Sequence, residues 1–128
     1  MKFLIYFVLG FVVLSSSCAR KTLVRKSTEP ASIIKEVEEK IVPNEDGITN
    51  KHQYFVIIGS FRNPENSKKY QELIEKEGFR SEILRNEDGL YRVSVIATDE
   101  ISIARDEVRR IWKSYPKYHD TWLLIKKK

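Results

Sequence analysis

The sequence predicts an α+β domain over residues 51–128, its elements running β-α-β-β-α-β. Three observations carry that order. Tyr54–Ile58 is a run of β-branched and aromatic residues, as a strand requires. Two later segments place apolar residues at helical spacing behind start signals, one at Asn63-Pro64 and one at Thr98. Between them, Asp88-Gly89 marks a tight hairpin. Two strand–helix–strand halves joined by a hairpin fold as a split βαβ unit: a four-stranded antiparallel sheet with both helices on one face. The other face is then open to solvent or a ligand.

Each element has its own signal. The first strand, Tyr54-Phe55-Val56-Ile57-Ile58, closes on Gly59-Ser60. Asn63 is placed to cap the first helix and Pro64 to open it, because proline lacks the N–H that a first turn cannot use. Ser67, Tyr70, Leu73, Ile74 and Glu77 follow toward one face, and Gly78 supplies the left-handed stop. Phe79–Arg85 alternates as the second strand, and Asn86-Glu87-Asp88-Gly89 is the hairpin turn. In the third strand, Leu90–Ala97, Tyr91, Val93 and Val95 share one side, and Arg92 and Ser94 the other. Thr98 is placed to cap the second helix, with Asp99 and Glu100 beside its positive end. Ile101, Ala104, Val108 and Ile111 form its apolar stripe, and Thr121–Ile125 is the last strand.

Ahead of this domain, Lys2 is followed by a twelve-residue apolar run, Phe3–Leu14. A membrane span needs about 20 apolar residues, so the run reads as the core of a signal peptide over residues 1–17. Ser15-Ser16-Ser17-Cys18 resembles a bacterial lipobox, with Cys18 as the lipidated first residue of the mature protein and the means of membrane attachment. Ser15 stands where an apolar residue is usual, with Leu14 one position further out. An ordinary secretory signal with an incidental cysteine is the bland alternative. Residues 18–50 read as a flexible tether: positions 19–50 hold six basic and six acidic residues and no aromatic one. Within it Ile33, Ile34, Val37 and Ile41 fit a short amphipathic helix ending before Pro43, although an isolated helix of that length is barely stable.

Charge and residue counts remove several function classes. The chain of 128 residues carries 23 basic and 18 acidic side chains, a net charge of +5. Lys2 leaves with the signal and the tether is neutral, so three of the remaining four charges are Lys126, Lys127 and Lys128. The basic balance is therefore mainly a C-terminal tail, weak support for a broad anion-binding face. A single cysteine excludes an internal disulfide framework and any multi-cysteine metal site. His52 and His119 are the only histidines, and no Ser/His/Asp or Cys/His set has supporting spacing. No catalytic residue, no cofactor and no metal is expected, and the protein reads as a non-enzyme. The ferredoxin/RNP-like outline also fits an RNA-recognition module, but Leu90-Tyr91-Arg92-Val93 lacks that module's Gly-Phe-rich signature. An exported protein also meets no RNA, so no nucleic-acid partner is expected.

Tyr54–Phe61 (YFVIIGSF), Asn63-Pro64-Glu65-Asn66, Gly89–Val93 (GLYRV) and Trp122-Leu123-Leu124, in this order behind a lipoprotein-like signal, resemble the SPOR (sporulation-related repeat) domain over about residues 52–126. The resemblance implies a non-catalytic module that binds peptidoglycan, favouring glycan strands stripped of their stem peptides, as arise at the division septum. It implies a glycan lying across the open sheet face. Carried over position by position, the polar residue often found in the first strand falls on Ile57, where this chain has lost an amide. Ser60, Tyr91 and Trp122 take the positions of the serine after the glycine and of two strand aromatics. The resemblance implies a place in the cell envelope, enriched at the septum, with cell-division proteins as further partners. The lipobox implies an anchor through Cys18, and Ala19-Arg20, with no acidic residue after the cysteine, favours the outer membrane with the domain facing the periplasm. An envelope module that docks a protein instead is the alternative.

The chemistry of those side chains is independent of the family. Saccharides offer apolar C–H faces to flat rings and hydroxyls to polar tips, both of which Tyr and Trp supply. A glycan without its peptides exposes the lactyl carboxylate of each muramic acid, and Arg92 can meet it with a forked, charged hydrogen bond. Each residue also has a bland reading. Tyr91 shares parity with Val93 and Val95 and fits the core equally well. Trp122 in a short strand is a packing candidate, as is Trp112 at the end of the second helix. Ser60 can be a turn residue, and Arg92 a solvated one.

Overall fold

The computed structural model describes residues 33–47 and 49–128. The expected signal peptide and Cys18 lie outside the described residues. In chain order the elements are β1 (Glu36–Glu39), β2 (Ile41–Val42), β3 (Tyr54–Phe61), α1 (Pro64–Lys76), β4 (Glu82–Asn86), β5 (Tyr91–Thr98), α2 (Ile101–Ser114) and β6 (Trp122–Lys126). A single 3₁₀ turn, Pro116–Tyr118, precedes β6. The sheet order is β1-β6-β3-β5-β4-β2. Its inner four strands, β6-β3-β5-β4, are all antiparallel and make up the expected β-α-β-β-α-β unit.

The four-stranded expectation is corrected at both edges. β1 pairs with β6 in parallel, Glu36 opposite Leu123 through Glu39 opposite Lys126. β2 pairs antiparallel with β4, Ile41 opposite Asn86. Residues 36–42, read from sequence as a marginal helix, are therefore strand. The reason is a degeneracy of spacing: Val37 and Ile41 are four apart, which places them on one face of a helix and equally on one face of a strand. Tertiary pairing selects the strand, and Ile33, which would have extended the helical stripe, is 95% exposed. Only Lys40 separates β1 from β2, and one extended residue spans about 3.3 Å. The two ends of the strand order thus lie within a residue of each other, and the sheet curls until segment 36–42 closes it.

Alternation along the strands divides the interior. Val56, Ile58, Val93 and Leu123 face the helices and pack with Ile74, Ala104, Val108 and Ile111. Phe55, Ile57, Leu84, Trp122 and Leu124 face the other way, where they pack with Ile41 rather than meeting solvent. Burying an aliphatic or aromatic side chain stabilises by about 1.5–3 kcal/mol, so both clusters hold the sheet.

The helix ends follow local chemistry. Asn63 Oδ1 accepts from Glu65 N at 2.8 Å, and Pro64 opens α1. At its far end Gly78 has φ +97°, with Gly78 N donating to Glu75 O (3.0 Å) and Phe79 N to Ile74 O (3.2 Å). Phe79 is thus part of the helix stop, and β4 starts only at Glu82 rather than at Phe79. The second start is also shifted. Thr98 stays in β5 and its hydroxyl accepts from Glu100 N at 3.2 Å, so Glu100 takes the cap position of α2. Asp99 turns back to accept from Gln53 N at 3.0 Å, tying the start of β3 to the end of β5.

At Gly59 the ring of Tyr70 lies against the strand: a Cβ there would come within 2.6 Å of Tyr70 Cε1. Tyr70 OH donates to Ile58 O at 3.1 Å, and burial pushes its phenol up to about 12. The glycine that ends the first strand in the sequence is, in the fold, a seat for this ring.

Candidate functional site

Cross-strand pairing, with an irregularity in β3 between Ile57 and Gly59, places Ile57, Ser60, Arg92 and Trp122 on the sheet face away from the helices. Ile57 is opposite Trp122 across β3·β6 and opposite Ser94 across β3·β5, and Ser60 is opposite Arg92. Ser60 is exposed at the end of the strand. Ile57 is fully buried and Trp122 only 9% exposed, so both lie in the floor of the curled sheet. Trp112, on α2, is a packing residue whose Nε1 donates to Thr121 O at 3.2 Å.

Tyr91 does not join this group. It is opposite Phe61, whose ring packs on Tyr70 of α1 at 5.1 Å, and it therefore lies on the helix side. There it lines a cleft of about 240 Å³ with Pro64, Ser67 and Lys68 of α1, Ile83 and Arg85 of β4, and the 44–46 turn.

Arg92 is the chemical centre of the face. Its Nε donates to Glu39 Oε2 at 3.1 Å and its Nη2 to Glu39 Oε1 at 2.5 Å, a two-pronged ion pair. Asn86 Nδ2 reaches the same carboxylate at 3.4 Å. The two side chains are 14% and 13% exposed, so the pair is largely withdrawn from water. The guanidinium carbon lies 5.2 Å from the centre of the Trp122 ring, and Lys35 Nζ lies 5.3 Å from it.

The expected open face is thus a covered one. Segment 35–42 lies over it with a row of inward residues, Lys35 over Trp122, Val37 and Ile41 on the apolar floor, and Glu39 on Arg92. In the sequence Lys35 and Glu39 count among the balanced charges of a tether. Their period-two row, 35, 37, 39 and 41, is the sequence signal of a strand, and the helical spacing of Ile33, Ile34, Val37 and Ile41 masks it. The outward residues hold the segment from the other side: Glu36 Oε1 accepts from Arg105 Nε of α2 at 2.6 Å, and this pairing holds the Glu36 carboxyl below its usual range. Among the described residues no group of three or more His, Cys, Asp or Glu is placed to hold a metal ion.

Residues 50–111 match the family model of the SPOR domain, the family that the motifs of the first strand, first helix and third strand resemble. SPOR domains are binding modules, generally non-catalytic, associated with peptidoglycan and the division septum. The match spans β3 to most of α2 and leaves out β1, β2 and β6, hence also Trp122. No curated protein and no solved structure matches the chain.

Proposed function

With residues 50–111 a SPOR domain, we propose that this chain is a non-catalytic, peptidoglycan-binding lipoprotein whose domain takes glycan strands lacking stem peptides and gathers the protein at the division septum. The observation that carries the reading is the Arg92 fork beside the Trp122 ring. It already grips a carboxylate, that of Glu39, in the geometry a muramic lactyl group needs. Ser60 lies exposed on the same face and supplies a hydroxyl to the sugar edge. Ile57 is floor, so this face lacks the amide that many SPOR domains carry in the first strand. Tyr91 meets a glycan only where the strand reaches round to the cleft on the helix side.

Anchoring is through Cys18, with the domain facing the periplasm from the outer membrane. A Cys18→Ala chain is expected in the soluble fraction; one that stays with membranes overturns the anchor. The glycan reading is tested by pull-down of the full chain with intact and amidase-treated sacculi. Retention rises after peptide removal if glycan is the ligand and stays level if the module docks a protein. Hydrogen bonds to charged groups are worth about 1.5–3 kcal/mol, so Arg92→Gln lowers retention about tenfold or more, and Ser60→Ala by a smaller factor. If both variants fold and are retained as well as the unmodified chain, the face is wrong.

A further inference from the structure

The face that holds Arg92 and Trp122 is occupied by residues 35–42 of the same chain. We propose that this segment is an internal stand-in for the glycan, with Glu39 in the place of a glycan carboxylate, and that an anionic glycan binds by displacing it. The proposal rests on the reading of this face as the glycan site.

The contacts of Glu39 are those a ligand carboxylate would take: two from Arg92 and a longer one from Asn86. Because the Arg92–Glu39 pair is mostly buried, the fork has no second side to offer, and the two carboxylates exclude each other. Lys35 likewise lies over the ring on which a sugar face would stack. Occupation by the segment and occupation by glycan are therefore alternatives.

The segment is also held in a releasable way. β1 has four residues and β2 two, and both are edge strands paired on one side only. Among described residues 33–47, Ile41 alone is buried, at 8% exposure. The helix-side core takes only Ile34 from this stretch, and the four antiparallel strands β6-β3-β5-β4 pair without it. A minority of open molecules then binds glycan, and the apparent affinity is reduced by the fraction that is open.

Three amides report on the closed state: Leu123 N donates to Lys35 O (2.9 Å), Lys127 N to Glu39 O (2.9 Å) and Glu87 N to Lys40 O (3.1 Å). The experiment measures binding of the full chain to amidase-treated sacculi, and hydrogen exchange with and without soluble glycan strands released by amidase. Ile41→Asp, which unseats the apolar anchor, is expected to tighten binding about tenfold. Glu39→Gln, which removes only the charge, is expected to tighten it about threefold. In the unmodified chain the three amides exchange faster when glycan is bound, while those of the β3·β5 ladder stay protected. Should Ile41→Asp fail to fold, Glu39→Gln and the exchange data decide. Glycan binding that leaves the three amides protected, or that neither variant tightens, overturns the displacement and leaves the glycan reading standing. If folded chain and variants alike ignore the treated sacculi, both readings fall.

Discussion

Arg92 and Trp122 illustrate what single residues reveal and conceal. Arg92 was legible as a strand residue on the side away from Val93, and its fork geometry follows from the guanidinium itself. Its partner was not, because Glu39 lies more than fifty residues away and nothing local links them. Trp122 is a candidate site residue and a core residue at once. At its depth Trp122→Ala would remove packing of the kind that costs about 3–5 kcal/mol, so loss of binding in that variant would not isolate a contact. Gly59 makes the sharper residue-scale prediction. Its backbone torsions are ordinary, but any Cβ meets the Tyr70 ring. Gly59→Ala is expected to destabilise by about 1–3 kcal/mol in chemical denaturation, and a Gly59→Ala/Tyr70→Leu pair to recover part of it. Recovery by the pair separates a steric clash from a general intolerance of the strand.

At the scale of elements, both helices lie where local signals put them, apart from the two-residue shift of the second cap from Thr98 to Glu100. Asn63-Pro64 and Gly78 act within a turn of themselves, and the Ala104, Val108, Ile111 stripe has only one periodicity that fits. Segment 36–42 is strand rather than the expected helix because its apolar spacing fits two periodicities, and only its distant partners β6 and β4 choose between them. The 3₁₀ turn before β6 is tied back to α1 in a comparable long-range way. Glu77 accepts from the Lys117 ammonium and, at 2.5 Å, from the Tyr118 hydroxyl. These donors hold the Glu77 carboxyl below its usual range, while burial and the same bond push the Tyr118 phenol up. For a lowered carboxylate the stabilisation is complete above its unfolded value, about 4.3, and is lost as pH falls through the folded value. The stability difference between the unmodified chain and Glu77→Gln should therefore be steady from pH 7 to about 5 and shrink below about 4. Denaturation midpoints across that range check it; a difference that grows on acidification would contradict the ion pair.

For the molecule as a whole, the four central strands and two helices followed from sequence order, and the SPOR match covers most of them. The closed face did not follow, since an open face is what two helices on one side imply until a third layer is supplied from elsewhere in the chain. Here that layer comes from the stretch just before the domain. The connection from β2 to β3, residues 43–53, sets how hard it is to displace. A competitor on so short a leash is present at an effective concentration on the order of millimolar, whatever the concentration of the protein. Under the displacement proposed above, a free sugar acid with no tighter hold on the fork would compete poorly at micromolar levels. A polymer would compete better, because successive carboxylates along one strand could return to the same fork each time one is lost. Under that proposed displacement, the leash would make the domain a reader of glycan chain length as well as of glycan chemistry, responsive to intact strands over turnover fragments.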